Sequence, residues 1–385
     1  MGVALLFLFL LCFPKGGIKL GNIPITWGYL FFFMTLSICL VTRPLIFKKK
    51  TLLACLALIP FQCISLFTLL SYGTQNIGYI FSFVIHFFLM PWAFLLVFPQ
   101  YIDAQTFNQI LSWIKGGVFF IGSFGIFLFF YKILTGSFLE IPLLTINYHD
   151  RNELELLKCI DRGGIFKLIS TYNNGNLYGV CVLMLLPIYQ HLETSRYKQM
   201  LVKLSLILTL SRTIWAGLIL YELCIHSTYS TKWLIKAFKI VLSLITVGLS
   251  LILLTKFFPF SWEFLFDRFL GNRLGQFEVL HTAKWVSTKA FEEIFEIIYL
   301  GVLKSFGILG LITFLIAMTY PIFTAPKSFL SKPILLGLIL YLIVACGDGA
   351  LLLIPVMCFY WFLVFLLNIS DVYKKQDDLF NKSYF

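Results

Sequence analysis

The chain has 385 residues, of which 59% are hydrophobic and only 12% are charged, and its mean hydropathy is +0.91. This composition excludes a soluble globular protein, because so few polar side chains cannot cover a folded surface of that size. The net charge of +12 does not indicate a nucleic-acid-binding protein, since lysine and arginine fall in short clusters between apolar runs. The sequence therefore predicts a polytopic integral membrane protein.

Apolar segments that qualify as candidate membrane spans recur along the chain. They lie near 2–14, 24–41, 51–71, 77–98, 112–134, 175–192, 199–211, 212–226, 234–257, 297–323, 333–349 and 351–369. The first segment is favoured as a span over a cleaved signal peptide because no basic residue precedes it. We expect an all-α polytopic protein with about twelve transmembrane helices.

The basic clusters predict how these spans are oriented. With a cytoplasmic N-terminus, alternation of the spans puts the clusters on one side, as the positive-inside rule requires: Lys48–Lys50, Arg196 and Lys198, Lys232 to Lys239, Lys327 and Lys332, and Lys374 and Lys375. The predicted division is then N-terminal helices at 1–134, a first long periplasmic loop at 135–174, central helices at 175–257, a second long periplasmic loop at 258–296, C-terminal helices at 297–370 and a cytoplasmic tail at 371–385. Aromatic and aliphatic residues in both loops favour packed, partly helical structure over disorder.

Arg212 is a cation within the apolar run 204–220. At bilayer depth it would cost roughly 3 kcal/mol or more to insert. The flanking segments are short for full spans, so they predict either a tilted helix pair with a buried turn or helices broken around a cavity. Both arrangements put Arg212 near the outer face, where it either serves a function or extends its side chain to the lipid headgroups.

Other chemical motifs are weak. The five histidines show no metal-ligand spacing, and the chain has no phosphate-binding loop, dinucleotide fingerprint or nucleophile elbow. We expect neither a metal nor another cofactor.

Three segments, read in order, resemble the O-antigen ligase/polymerase superfamily. They are Ser170-Thr-Tyr-Asn-Asn-Gly-Asn-Leu-Tyr-Gly179, Leu208-Thr-Leu-Ser-Arg-Thr213 and Tyr299-Leu-x-x-Leu-x-x-x-Gly307-Ile-Leu-Gly-Leu311. The resemblance covers roughly residues 165–325. It implies a glycosyltransferase of the bacterial inner membrane, with its active site facing the periplasm, that acts on glycans carried by undecaprenyl diphosphate without a nucleotide sugar or a metal. The implied partners are this lipid-linked glycan and the bilayer, with a chain-length regulator protein as a further candidate and no nucleic acid.

The resemblance, with the charge pattern, predicts the site residues. Arg212 and Arg273 would hold the diphosphate bidentately, with Arg268 as a local rival for this role. Glu296 would take the proton of the attacking hydroxyl, because Glu292, Glu296 and Tyr299 share one helix face and repulsion between two carboxylates raises the pKa of one of them. The alternative is that these acids only mark a solvated helix start. The remaining predicted substrate contacts are Arg162, Asn173 and Asn176.

Within the superfamily, ligases usually carry a histidine at the position of Glu296, and its absence favours a polymerase of O-antigen or related repeat units. The rival within the superfamily is a ligase that transfers finished glycan to lipid A core. The rival from another class is a lipid-glycan transporter or flippase, which should show internal repeats and mostly short loops. The chain has long loops predicted on one side and halves that do not match.

Overall fold

The computed structural model describes residues 2–20, 23–42, 49–72, 77–150, 166–229, 273–288, 290–291, 295–326, 328, 330–352 and 354–382. The helices in these ranges are α1 (Gly2–Cys12), α2 (Trp27–Thr42), α3 (Lys49–Tyr72), α4 (Ile77–Gln100), α5 (Ala104–Thr135), α6 (Gly175–Leu192), α7 (Arg196–Ile207), α8 (Arg212–Tyr229), α9 (Ile298–Phe323), α10 (Ser331–Val344) and α11 (Ile354–Lys382). Short 3-10 turns occur at Tyr148–Asp150, Ser170–Tyr172 and Leu274–Leu280.

Among the described residues, four helices, α3, α4, α5 and α9, are long and apolar enough to cross a bilayer. Shorter apolar helices are α2, α10 and the part of α11 at Pro355–Ser370. The chain is therefore a helical, membrane-embedded protein, as its composition predicts. The predicted span at 234–257 lies outside the described residues.

One element departs from a purely helical fold. Strands β1 (Gly17–Leu20) and β2 (Ile23–Thr26) form an antiparallel hairpin in which Gly17 lies opposite Thr26. The indole of Trp27, directly after β2, donates to the carbonyl of Leu143 at 2.5 Å. The hairpin therefore packs against the segment that follows α5.

Helix α6 lies at the centre of the bundle. Nearly every side chain from Leu177 to Tyr189 is buried, and α6 packs against α5, α7, α8, α10 and α11. The crossing with α10 is close: a Cβ at Gly337 would lie 2.2 Å from the Met184 carbonyl oxygen, so only glycine fits. Packing of α6 against these helices fixes the position of its N-terminus.

Helices α7 and α8 form the antiparallel pair with a buried turn, the first of the two arrangements that the sequence allows. Lys203 and Glu222 form an ion pair between them at 2.5 Å, and the Trp215 indole donates to the Ile207 carbonyl. The turn at 208–211 is almost fully buried and sits beside the start of α6, because the Leu168 amide donates to the Leu208 carbonyl.

Helix α9 is interrupted at Gly307, which has φ +79° and ψ −173°. The amides of Ile308 and Leu309, freed by the break, donate to the carbonyls of Lys284 and Trp285 at 2.9 and 3.2 Å. A Cβ at Gly307 would meet these carbonyls at 2.6–2.7 Å. The segment before α9 thus caps its second half, an arrangement typical of helices broken beside a cavity in membrane proteins.

Candidate active site

Five segments that are distant in sequence meet at one end of the bundle. They are the start of α6 with Asn176, the start of α8 with Thr213, the 3-10 turn with Arg273, the start of α9 with Glu296, and the turn after α10 with Asp348. Each segment is a helix start or a turn, where side chains are not required for packing between helices. We call Lys167, Asn176, Arg273, Glu296 and Asp348 the polar cluster.

Asp348 is the buried member of the polar cluster. It lies in the turn Gly347-Asp348-Gly349 after α10, where its amide donates to the Val344 carbonyl and the Gly349 amide donates to the Glu296 carbonyl. A Cβ at Gly347 would come within 2.9 Å of Thr213. The glycine therefore lets this turn approach the start of α8.

Asn176 connects the carboxylate of Asp348 to a cation. Its amide Nδ2 donates to Asp348 Oδ2 at 2.5 Å, and its Oδ1 accepts from Lys167 Nζ at 3.3 Å. The amide orientation is fixed by these partners, because the flipped amide would point oxygen at a carboxylate and nitrogen at an ammonium. Asn176, one of the predicted substrate contacts, therefore lies within the polar cluster.

Arg273 contacts three of the converging segments. Its Nε forms a short ion pair with Glu296 Oε2, Nη2 lies 3.6 Å from Asp348 Oδ2, and Nη1 donates to Thr213 Oγ1 at 3.4 Å. The Glu296 side chain is half exposed, whereas that of Arg273 is largely buried. Glu296 was the predicted proton acceptor, and here one of its oxygens already accepts from a guanidinium.

The electrostatic environment sets Asp348 apart from Glu296. Burial, and then the nearby negative charge of Glu296, raise the pKa of Asp348 to about 6, against the lowering effects of Arg273, Asn176 and Lys167. Desolvation wins because a carboxylate shielded from water loses most of its hydration. A carboxyl group titrating near neutral pH is suited to accept and release a proton.

A cavity of about 260 Å³ adjoins the polar cluster. One wall presents Asn176, Glu296 and Asp348. The rest is mainly apolar and comes from the start of α9, the residues before it and the segment after Asp348: Phe291, Phe295, Ile298, Val302, Leu351 and Leu352. Small-molecule sites have this character, with an apolar lining and a few convergent polar groups.

Two predicted site residues make other contacts. The Asn173 side chain is buried and donates to the Thr145 carbonyl at 2.9 Å, so it holds the segment after α5. The Tyr299 hydroxyl donates to the Leu342 carbonyl at 2.5 Å and ties α9 to α10. Neither residue lines the cavity. The shared helix face predicted from spacing does not bring Tyr299 to the polar cluster, because α9 begins at Ile298, after Glu296, and the Tyr299 hydroxyl reaches α10 instead.

Arg212 is the first residue of α8, and its neighbour Thr213 accepts from Arg273. Arg212 and Arg273, the two predicted diphosphate-binding arginines, therefore lie in segments that contact each other. Thr213 and Arg273 are 60 positions apart in the sequence. The predicted residues Arg162, Arg268 and Glu292 lie outside the described residues.

Sequence reasoning missed Asp348, although the sequence carried a signal for it. Asp348 is the only acidic residue between Glu296 and Asp371, and it interrupts two apolar runs with a glycine on each side. The predicted span 333–349 includes Asp348, whereas α10 ends at Val344 and Asp348 lies in the following turn. A carboxylate in a predicted span is a candidate functional residue for the same reason that Arg212 is.

Comparison with known proteins gives no assignment: no family model, curated protein or solved structure matches the chain.

Proposed function

We propose that the protein is a membrane glycosyltransferase that polymerises undecaprenyl-diphosphate-linked oligosaccharide repeat units at the periplasmic face of the bacterial inner membrane. In the reaction, a hydroxyl of one lipid-linked repeat attacks the anomeric carbon of a lipid-linked chain. The new glycosidic bond forms as the bond to the diphosphate breaks, and undecaprenyl diphosphate leaves with the electron pair.

The observation that carries this proposal is the convergence of separate motifs on one polar cluster. The first resembling segment supplies Asn176, the second supplies Thr213 beside Arg212, and Glu296 lies just before the third. Arg273 joins the last two. Two of these motifs, and a residue just before the third, therefore lie at one place in the fold, beside a cavity.

The chemistry of the cluster suits a lipid diphosphate donor. The guanidinium groups of Arg212 and Arg273 supply planar, permanently charged donors for phosphate oxygens. Glu296, paired with Arg273, fixes the orientation of that guanidinium. Such a pre-oriented cation stabilises the charge that develops on the leaving diphosphate.

A ligase that joins the glycan to lipid A core is the second candidate, since it would use the same donor and the same leaving group. The absence of a histidine at the Glu296 position favours the polymerase. A lipid-glycan transporter is the third candidate, and the charged cluster with a small adjoining cavity favours chemistry over transport of an entire lipid-linked oligosaccharide.

Deletion of the gene, followed by gel analysis of the lipopolysaccharide, distinguishes these functions. We expect the core to carry a single repeat unit, because an unpolymerised repeat is still ligated. A bare core would identify a ligase or a transporter instead, and a normal ladder would contradict any role in assembly. Re-expression of the intact chain should restore the ladder.

A further inference from the structure

The cavity beside the polar cluster has a polar wall of a distinct chemical kind. Its polar lining includes the carboxylates of Glu296 and Asp348 and the amide of Asn176, and none of the described lining residues is lysine or arginine. Carboxylate oxygens accept hydrogen bonds from hydroxyl groups and donate none to a phosphate. The cavity is therefore suited to a neutral, hydroxyl-rich group and unsuited to the donor's phosphates.

The size and lining of the cavity narrow its occupant further. Its volume of about 260 Å³ is close to the lower limit of roughly 300 Å³ for small-molecule sites. That volume suits a single sugar ring better than a whole oligosaccharide. Phe291, Phe295 and Val302 are among the residues of the apolar part, against which the C–H face of a pyranose can pack.

Asp348 has one oxygen committed and one oxygen available to a ligand. Within the described part of the chain, the Asn176 hydrogen bond and the Arg273 contact both end on Asp348 Oδ2. Oδ1 therefore keeps its lone pairs for a group in the cavity that Asp348 lines. This geometry matches a fixed carboxylate that accepts a proton from a bound hydroxyl.

We infer that this cavity binds the terminal sugar of the acceptor glycan and that Asp348, rather than Glu296, accepts the proton of its attacking hydroxyl. The inference rests on the proposed function. The acceptor oxygen forms the new bond to the donor's anomeric carbon, the bond from that carbon to the diphosphate breaks, and the hydroxyl proton moves to Asp348 Oδ1 before release to water. The acceptor and the donor diphosphate thus occupy different sides of the polar cluster, with Arg273 between them.

Binding by the cavity is testable without turnover. The probe is the host's repeat-unit oligosaccharide, freed of lipid diphosphate by mild acid, and the protein is held in lipid nanodiscs for saturation-transfer NMR. Val302→Phe fills the cavity, because Val302 is buried and lines it. Ile312→Phe is the matched control on the same helix, at a position that is 47% exposed.

We expect Val302→Phe to weaken oligosaccharide binding tenfold or more, with Ile312→Phe unchanged. Both variants should bind undecaprenyl diphosphate as the native chain does. Equal oligosaccharide binding by Val302→Phe and the native protein would overturn the inference, as would a failure of the native protein to bind the free oligosaccharide.

Asp348→Asn tests the proton transfer. It also serves in place of Val302→Phe if the Val302→Phe protein does not fold. The amide keeps the shape of the side chain, so oligosaccharide binding should stay within about threefold while turnover falls on the order of 100-fold or more. Glu193→Gln is the matched control, a buried carboxylate paired with Lys115 at the other end of α6. Full turnover by Asp348→Asn would overturn this inference alone, whereas a normal glycan ladder in the deletion strain would overturn the proposed function.

Discussion

Arg212 and Asp348 are both charged residues between apolar runs, but they differ in burial and in their position relative to helix ends. Arg212 begins a helix and is only partly buried, which lowers the cost that its position in the sequence suggests. Asp348 is almost fully buried in a turn, beside Arg273, Lys167 and a second carboxylate. Position relative to helix ends, which the sequence gives only approximately, decides the cost of each charge.

Arg212→Lys retains the charge and removes the planar pair of donors. If the guanidinium binds diphosphate oxygens, chain elongation should fall on the order of 100-fold, the effect of removing one oriented donor from a transition state. The measurement is the length distribution of glycan in a deletion strain that expresses the variant at native levels. Arg196→Lys, at the start of α7, should leave the distribution unchanged. A normal ladder from Arg212→Lys would show that this arginine only contacts lipid headgroups.

The rate of polymerisation should depend on pH through Asp348. Burial and Glu296 raise the pKa of Asp348 to about 6, while Arg273 and Lys167 oppose the shift and the buried phenol of Tyr341 lies nearby. The base is active when deprotonated, so the rate should fall as the pH drops through about 6 and level off above it. Rates measured in proteoliposomes between pH 5 and pH 8 check this, and Asp348→Glu should shift the midpoint. A flat profile would argue against Asp348 as the proton acceptor.

Part of the site was predictable from sequence. Asn176, Arg273 and Glu296 were predicted and lie in one cluster. Helical spacing did not apply to Glu296 and Tyr299, because α9 begins at Ile298, after Glu296, and the Tyr299 hydroxyl donates to a carbonyl of α10. The partners of Asn173 and Asp348 depend on contacts between residues distant in sequence, which no local pattern records.

Among the helices, α9 is interrupted at Gly307, and the segment at 284–285, which precedes α9, binds at this interruption. Gly307 has a positive φ, and the segment at 284–285 caps the second half of the helix. The first half supplies Gly301, Val302 and Ser305 to the cavity. The break therefore determines how the cavity-lining half-helix sits against the rest of the bundle.

Gly307→Ala should destabilise the protein by about 1–3 kcal/mol, because alanine is strained at this φ and its Cβ would collide with two carbonyl groups. Thermal unfolding in detergent measures the effect. Gly116→Ala is the matched control in α5, where a Cβ meets no atom within 4 Å, and it should be neutral or stabilising by about 0.5–1 kcal/mol. Equal melting temperatures for the two variants would contradict the capping role assigned to Gly307.

Helix positions were more predictable than helix ends. The predicted segment 175–192 has the bounds of α6, Gly175–Leu192, because Asn174 caps its start and an apolar run fills its length. The predicted segment 333–349 runs past the end of α10 at Val344, since hydropathy averages over a window and does not register the glycines around Asp348. The β-hairpin was not predicted, as its short strands lie between two apolar segments.

At the scale of the whole molecule, the bundle holds a charged cluster at the ends of its helices. Helix α6, packed on several sides, fixes Asn176, while α8, α9 and α10 bring Thr213, Glu296 and Asp348 to it. Such a cluster at the end of apolar helices suits a substrate whose lipid tail stays in the bilayer while its diphosphate and sugars lie at the headgroup level. The proposed polymerase uses a substrate of this form.

The proposed polymerase should join lipid-linked repeats without any other protein. The most direct test supplies the purified protein, reconstituted in proteoliposomes, with undecaprenyl-diphosphate-linked repeat extracted from the deletion strain. The reaction contains no nucleotide sugar and includes a metal chelator. We predict that the native protein forms a ladder of glycans that lengthens with time and that the reaction releases undecaprenyl diphosphate. The Arg273→Gln protein should form no ladder. A repeat unit that remains unextended by a folded native protein would contradict the claim.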